Sequence, residues 1–467
     1  MPDRVAAERV LVVGFGVTGR AVARRLLEGG AEVRAVDDRP DSAAEAAAVE
    51  LGVPLVEAPS STDLAGLIAE STLIVPSPGV PVAHPVYRLA ENAGVPVRSE
   101  IELAWQRLGR APALVAVTGT NGKTTVTTLV ASMLNASGRA AAAAGNIGLP
   151  LIDAVELDVS VVVAEVSSFQ LYYTQRFHPA VSCWLNLAED HLDWHPTVSH
   201  YRAAKARIWA NQGEADVVVL NRDDPAVMAT AEDPVLGVPA GVRRVTFSLE
   251  PGGDFRVPDF RVPDFRVAAG WLVGPDGVEI VSVSELPRAF PHDLANDLAA
   301  CATAMAAGAT AAGCRQALLE FRGLPHRVQL IAEADGVRWY DDSKATTPAS
   351  VLAAVAGFGS LVLIAGGRNK GLDLGVLRRA VPPVRAVIAI GEAAAEIQRA
   401  FDDVAPVTVA STMAEAVAGA RRVAHAGDAV LLSPGCASFD WYRSYAERGD
   451  EFAALVTAEL RRQDTHS

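Results

Sequence analysis

Thr118 to Thr125 reads TGTNGKTT. Two glycines, a lysine and threonines, entered from the apolar run ALVAV and leading into a helical stretch, are what a phosphate loop needs. Backbone N–H groups and a helix N-terminus then cradle phosphate oxygens. The residues in place are Gly119, Thr120, Asn121, Gly122, Lys123, Thr124 and Thr125. Lys123 would reach the β- and γ-phosphates, and Thr124 would hold a Mg²⁺. The usual spacing, GxxxxGK[ST], begins with glycine; here Val117 stands in that position. Glu165 closes the apolar run VVVAE. A carboxylate at the tip of a strand beside a phosphate loop suits a magnesium ligand; without the loop, a helix cap would explain it better. The stretch EDHLDWHPTVSHYRAAKARIW carries His191, Asp193, His195 and Lys205. Its spacing is not that of a zinc helix. Alone, Lys205 reads as a solvated lysine on a helix beside Arg207.

A second phosphate signature opens the chain. VLVVGFGVTG places Gly14, Gly16 and Gly19 in GxGxxG, and Asp37 ends the second strand where a ribose-binding acid would sit. Taken alone, this pattern predicts NAD. No hydride-transfer constellation follows it, and the fingerprint by itself specifies only a pyrophosphate beside a helix. A third polar set lies near the C-terminus: Arg327 in GLPHR, then Asp342, Lys344 and Thr346 in DDSKATTP. Lys370 follows in GGRNKG, and Ser433, Ser438, Phe439 and Arg443 lie in SPGCASFDWYRSY. Turns and surface ion pairs would explain each singly; together they form a cationic set suited to a small dianion.

The elements that must position these groups alternate strand and helix along three stretches. RVLVVGFG, AEVRAVDD and STLIVPSPG are strands of a small parallel unit, with GRAVARRLLEGG a helix between them. QRLGRAP reads as a linker. ALVAV, LDVSVVVAE, AVSCWLNL and ADVVVLN are strands of a second unit, closed by the Ala-rich helix around NDLAACATAMAAGA near Phe321. WLVGPDGVEIV reads as a hairpin. The internal repeat DFRVPDFRVPDFRV, residues 254–267, reads as an extended edge or loop insertion without chemistry. A third unit from Arg322 alternates again. The fold class is therefore α/β, with three domains expected at 1–111, 112–321 and 322–467, each on a largely parallel sheet. In such sheets ligands lie beyond the carboxyl ends of the strands, where all three polar sets fall.

The chain has 467 residues, 50% of them hydrophobic and 21% charged, with a net charge of -14. That balance predicts an ordinary globular protein and argues against a nucleic-acid or anionic-membrane surface. The four cysteines form no CxxC pair, so neither zinc nor a disulfide framework is expected. The N-terminus is too charged for a secretory leader, and no apolar run reaches the ~20 residues of a membrane span. The expectation is a cytoplasmic enzyme.

TGTNGKTT, EVSSFQL, EDHLDWH with YRAAKARI, GLPHR, DDSKATTP and SPGCASFDWY with RGDEF occur in an order that resembles the Mur ligases of peptidoglycan synthesis. The resemblance covers nearly the whole chain. NIGLP, SSFQL, DSKAT and SPGCASFD resemble most the branch that adds D-glutamate to UDP-N-acetylmuramoyl-L-alanine. It implies a UDP-substrate domain, a central ATPase domain and a C-terminal domain, so that one phosphate signature seats UDP and the other ATP. It implies an ATP-dependent carbon–nitrogen ligase acting through an acyl phosphate and a tetrahedral intermediate, with two Mg²⁺ ions. Lys123, Glu165, His191 and Lys205 would be its catalytic groups, and Thr124, Glu165, His191 and Lys205 its metal ligands. An ammonium cannot ligate Mg²⁺, and the family resolves this with a carbamate formed from CO₂ on the lysine, carried over here to Lys205.

For the UDP-substrate the resemblance implies Gly16, Thr18, Asp37, Arg39, Ser77, Gly79, Asn146 and His191. Asn296, Arg327 and Asp342 would contact ATP. Lys344, Thr346, Lys370, Ser438 and Phe439 would surround D-glutamate. It also implies a monomer. The chain departs from the family pattern at Asp293 and Thr347, where Asn is usual, and at Trp441 and Arg443, where a smaller apolar residue and Lys are common. A sibling ligase for another amino acid or for folate would keep most of these motifs, but the DNPR motif of the diamino-acid branch is absent. An NAD-dependent oxidoreductase would leave the phosphate loop unexplained. A nucleotide-switched binding protein would leave Glu165, His191 and Lys205 without a role.

Overall fold

Among the described residues three sheets follow one another along the chain. The computed structural model describes residues 8–108, 113–192, 194–250 and 264–464. The first sheet has four parallel strands in the order Leu55–Glu57, Glu32–Asp37, Arg9–Val13, Leu73–Pro76. The glycines of the N-terminal fingerprint shape the turn out of its second inner strand. Gly14 has φ +80°, and a Cβ on Gly19 would lie 2.0 Å from the Gly14 carbonyl oxygen. The helix Val17–Glu28 can therefore pack this closely on the strand only because Gly19 lacks a side chain.

Among the described residues the middle sheet has nine strands. Its parallel part runs Arg243–Ser248, Val217–Asn221, Val181–Trp184, Ala113–Thr118, Val161–Glu165, Ala141–Gly145. The run VVVAE is buried throughout, as a central parallel strand requires. Beyond Arg243–Ser248 come Phe265–Ala268, paired parallel, and then the antiparallel hairpin Trp271–Val273 and Glu279–Ser282. Residues 254–263 of the repeat lie outside the described residues. Its end, Phe265–Ala268, is an inner strand rather than an edge. The segment read as a linker begins inside a helix, because Glu100–Arg107 extends through Gln106 and Arg107. Gln106 Nε2 donates to the Glu102 carboxylate one turn back, an i,i+4 pair that supports the last turn. Residues 109–112 lie outside the described residues.

The third sheet is Gln329–Ala334, Val337–Asp341, Ala429–Gly435, Leu361–Gly366, Val384–Ile390, Val407–Val409. Only its first pair is antiparallel. Contacts divide the chain into two units. One holds the first two sheets, with Asp297–Leu319. The other holds the third sheet, with Ala188–Asp193 and Ser284–Asn296. In the first unit the two sheets share one apolar cluster that runs from Val10 to Val242. They are also pinned by charge: Asp153 pairs with Arg24 at 2.6 Å and Arg25 at 2.8 Å. The buried Glu102 accepts the backbone N–H groups of Gln175, Arg176 and Phe177. The third sheet has apolar clusters on its two faces, around Leu363 and Phe401 and around Ile388 and Phe452.

Candidate functional site

In the first unit a cleft of about 1030 Å³ opens at the carboxyl ends of the first sheet's strands. Gly16, Thr18, Asp37, Arg39, Ser77, Gly79 and Asn146 all line it. Gly16 is the N-cap of the helix Val17–Glu28, so that helix presents its N-terminus to the cleft. Asp37 is not a bare acid at a strand tip. One carboxylate oxygen accepts Phe15 N–H at 2.6 Å and the other Arg39 N–H at 2.9 Å, so it fixes the glycine turn as well as facing the cleft. Ser77 does the same from the neighbouring strand, its hydroxyl donating to the Gly14 carbonyl at 2.6 Å. Asn146, on the loop after Ala141–Gly145, brings the middle sheet to this cleft.

The phosphate loop joins the strand Ala113–Thr118 to the helix Lys123–Ala136. Gly122 is the N-cap with φ +84°, a conformation that suits glycine. Val117 occupies the missing glycine position because it is still a buried strand residue, 0% exposed. The loop is braced from the side by Asn186, whose Oδ1 accepts Asn121 N–H at 2.8 Å and whose backbone carbonyl accepts Thr120 N–H at 3.1 Å. The Lys123 ammonium donates to the Gly119 and Thr120 carbonyls, both at 2.9 Å. Thr124 and Thr125 stand in the first turn of the helix.

Lys205 is 1% exposed, so it is not a solvated lysine. It lies on the helix Val198–Ala206, and its Nζ donates to the Gly119 carbonyl at 2.7 Å and rests 4.6 Å from the centre of the Tyr201 ring. Tyr201 in turn places its hydroxyl 3.3 Å from Thr120 Oγ1. Helix and phosphate loop are thus fastened at two points. Glu165 is 3% exposed. Its Oε1 accepts from Asn146 Nδ2 at 3.0 Å, and its Oε2 is buried without a hydrogen-bond partner. A buried carboxylate oxygen left over in this way is costly unless a cation or donor meets it. Among the described residues no three His, Cys, Asp or Glu side chains cluster as a metal site. A cation at Glu165 would therefore draw on hydroxyl and phosphate oxygens, the donor set of Mg²⁺.

His191 falls with the second unit. It has φ +56°, and its Nε2 lies 3.3 Å from Asp190 Oδ2. In the same unit Asp342 is buried at the end of the strand Val337–Asp341. Burial pushes its carboxyl up to about 7, against the opposing effects of the Ser433 hydroxyl at 2.7 Å, the Arg327 cation and the Val328 N–H. The sequence pattern named Asp342 and Arg327 but not that they act on one another. Asn296 is half-buried on the helix Pro291–Ala306. Lys344 lies with its Nζ 5.0 Å from the Tyr445 ring centre. Thr346 and Lys370 are half-buried, Ser438 is buried and Phe439 is exposed.

The departures at Asp293 and Thr347 have local explanations. Asp293 pairs with Arg288 at 3.1 Å, which balances the added charge. Thr347 caps the helix Pro348–Val355, a role Thr fills as Asn would. Nothing in the structure explains Trp441, nor Arg443, whose backbone N–H alone is held by Glu447.

Several residues hold these groups through contacts that the motifs do not show. Asn146 was expected at the UDP-substrate, yet its amide also supports Glu165. Asn186 and Tyr201 brace the phosphate loop, and His195 bridges Ser168 at 2.9 Å and His200 at 2.8 Å beside them. Asn146, His195 and Tyr201 lie within the NIGLP, EDHLDWH and YRAAKARI stretches, whereas Asn186 has only its place just past a strand end.

Three family descriptions match in succession: the MurD-like N-terminal domain of Mur ligases over residues 8–99, the Mur ligase middle domain over 117–304, and the glutamate ligase domain of Mur ligases over 326–436. The UDP-N-acetylmuramoylalanine–D-glutamate ligase of Frankia casuarinae is 45% identical over 460 residues, covering 96% of this chain and 94% of its own. The ligase of the same name from Pelotomaculum thermopropionicum is 42% identical over 470 residues, covering 96% of this chain and 97% of its own. Among solved structures, the UDP-N-acetylmuramate-alanine ligase MurC of Thermotoga maritima superposes with a TM-score of 0.58 at 20% identity, over 97% of this chain and 99% of that one.

Proposed function

The chain belongs to the Mur ligase family, and on that premise we infer that it joins D-glutamate to UDP-N-acetylmuramoyl-L-alanine at the expense of ATP, in the synthesis of peptidoglycan precursors. The observation that carries this reading is the 45% identity, over nearly the full length, to a relative named for that reaction. The two phosphate signatures then have separate tasks. The N-terminal fingerprint seats the UDP of one substrate, and the loop at Lys123 seats ATP. Neither is a redox site.

In the first step the terminal carboxylate of the UDP-substrate attacks the γ-phosphorus of ATP, and ADP leaves. The amine of D-glutamate then attacks the acyl carbon, and the tetrahedral intermediate expels phosphate as the nitrogen loses its proton. The first step brings two anions together, so fixed positive charge must face them. Lys123 supplies it at the β- and γ-phosphates, and the loop N–H groups hold the phosphate oxygens. Thr124, Glu165, His191 and Lys205 as its carbamate are the residues we assign to two Mg²⁺ ions. Two Mg²⁺ ions held by these residues would supply neutralisation of phosphate charge. The partnerless Glu165 Oε2 supports the assignment. What supports the choice of Lys205 is its buried place beside the phosphate loop; a carbamate there would supply the oxygen ligand that its ammonium cannot.

We assign Gly16, Thr18, Asp37, Arg39, Ser77, Gly79 and Asn146 to the UDP-substrate, with the cleft they line as support. His191 is assigned to the same substrate. Asn296, Arg327 and Asp342 are assigned to ATP. Lys344, Thr346, Lys370, Ser438 and Phe439 are assigned to D-glutamate. The corresponding domains are 1–111, 112–321 and 322–467. No helix among the described residues is long and apolar enough to cross a membrane. The reading includes a cytoplasmic monomer. Phosphate release from ATP that requires both UDP-N-acetylmuramoyl-L-alanine and D-glutamate tests it.

A further inference from the structure

Glu100 opens the helix Glu100–Arg107 and is 1% exposed. Its Oε1 accepts the backbone N–H of Ile152 at 2.6 Å, in the short helix Leu151–Ala154. Its Oε2 is buried with no hydrogen-bond partner, and so is Oγ of the adjacent Ser99. Both residues line a cavity of about 10 Å³ shared with Tyr87, Gln170, Tyr173 and Trp194. That volume is at the lower limit for one water, ~10–15 Å³.

The bond to Ile152 leads somewhere. The short helix directly follows the loop from Gly145 to Pro150, and Gly145, Asn146, Ile147, Gly148 and Pro150 all line the cleft assigned to UDP. Within that loop Asn146 donates to Glu165. One carboxylate on the helix that follows the first sheet therefore anchors a segment that is both a wall of the cleft and the support of Glu165. In motif terms Glu100 is only an acidic residue in a first helical turn.

The charged and titratable groups around Glu100 come from four elements. Asp153, on the short helix, is paired with Arg24 and Arg25. Tyr87, on Pro85–Ala93, and Tyr173, just beyond Ser168–Tyr172, have phenols that burial pushes upward, so both are neutral. Glu102, on the same helix as Glu100, has its oxygens occupied by Gln106 and by the N–H groups of Gln175, Arg176 and Phe177. Burial pushes the Glu100 carboxyl up to about 7; the Ile152 N–H opposes this and the Asp153 charge adds to it.

We propose that Glu100 is a positioning residue for the ligase reaction, which rests on the ligase reading of the cleft. As a carboxylate it holds the Asn146 loop firmly through Ile152, and so sets both the UDP cleft and the carboxylate of Glu165. As the neutral acid it holds the loop more weakly, because a charge-assisted bond is roughly twice as strong as a neutral one.

The test compares wild type with Glu100→Gln, which keeps an acceptor for Ile152 but cannot ionise. Phosphate release is measured with the UDP-substrate varied, at pH values spanning the Glu100 inflection. Wild-type KM for the UDP-substrate is expected to fall about 3- to 10-fold as pH rises through the inflection, with a smaller change in kcat. Glu100→Gln is expected to keep the wild-type acid-side KM at every pH. Thermal unfolding gives a second readout that needs no turnover. A carboxyl raised in the folded state loses stability for the fold as pH climbs from its ordinary range to the raised value. Glu100→Gln should therefore melt above wild type on the alkaline side, with the gap closing on the acid side. Superimposed KM profiles in an active enzyme, or a melting difference that does not change with pH, would overturn the proposal and leave the ligase reading standing. Absence of phosphate release by wild type would overturn both.

Discussion

Lys205 Nζ donates to the Gly119 carbonyl at 2.7 Å, so a buried lysine on one helix is tied directly to the phosphate loop of another element. The same helix reaches the loop again through Tyr201 and Thr120. Any change at position 205 acts on the loop at once, as charge and as geometry.

Lys205→Ala is accordingly expected to lower kcat by at least about 100-fold, the scale of losing one fixed electrostatic group at a reacting phosphate. Wild-type protein equilibrated with ¹³C-bicarbonate should show a lysine carbamate signal that the variant lacks. Full activity in the variant, or no labelled lysine in wild type, would contradict the carbamate.

Glu165→Gln should raise the Mg²⁺ concentration needed for half-maximal phosphate release. Asn146→Ala should do so less strongly, by about 10-fold, because it removes only the group that orients the carboxylate. The Asn146 variant should also raise KM for the UDP-substrate, since Asn146 lines that cleft. Magnesium titrations of the three proteins decide the matter; curves that coincide would remove Glu165 from the metal site.

Asp342 carries a pH dependence of its own. Its carboxyl is raised to about 7, chiefly by burial; under the assignment proposed above, the ionised group would accept from ATP. KM for ATP should therefore fall as pH rises through that value, and Asp342→Asn should show no such inflection. Stability moves the other way. The folded state holds the proton where the unfolded state has lost it, so stability declines from the ordinary carboxyl range up to about 7 and stays lower above it. Asp342→Asn is expected to melt higher than wild type at alkaline pH and close to it at acid pH. A gap of the same size at both ends would show that Asp342 does not titrate in this window.

Gly19→Ala tests the N-terminal turn. The new methyl would sit 2.0 Å from the Gly14 carbonyl oxygen, so strand and helix must separate. Overpacking of this kind costs about 1–3 kcal/mol. The melting temperature should fall and KM for the UDP-substrate should rise, while KM for ATP changes little. An unchanged melting temperature would mean that the close approach is not needed.

The parts legible in the sequence are those in which one short stretch carries both the chemistry and its scaffold. TGTNGKTT holds the turn glycine, the lysine and the start of the helix together, and VVVAE holds a buried strand and its terminal carboxylate. The residues that escaped are joined across long separations. Glu102 reads as an ordinary first-turn acid, yet it satisfies three N–H groups more than seventy residues away. Lys205 stands out only through the family motif; its spacing alone reads as a solvated lysine, and its burial against Gly119 comes from the fold. Asn186 becomes a brace only because its strand lies beside the one that feeds the phosphate loop. Local pattern records which face a residue occupies, whereas these contacts depend on strand order.

The central claim is the reaction itself. It is tested most directly by ATP-dependent phosphate release with UDP-N-acetylmuramoyl-L-alanine and Mg²⁺, comparing D-glutamate with L-glutamate, L-alanine and meso-diaminopimelate. Release with D-glutamate alone is the predicted result. Release with a different amino acid would keep the ligase chemistry and move the specificity to a sibling. No release with any of them would contradict the ligase reading.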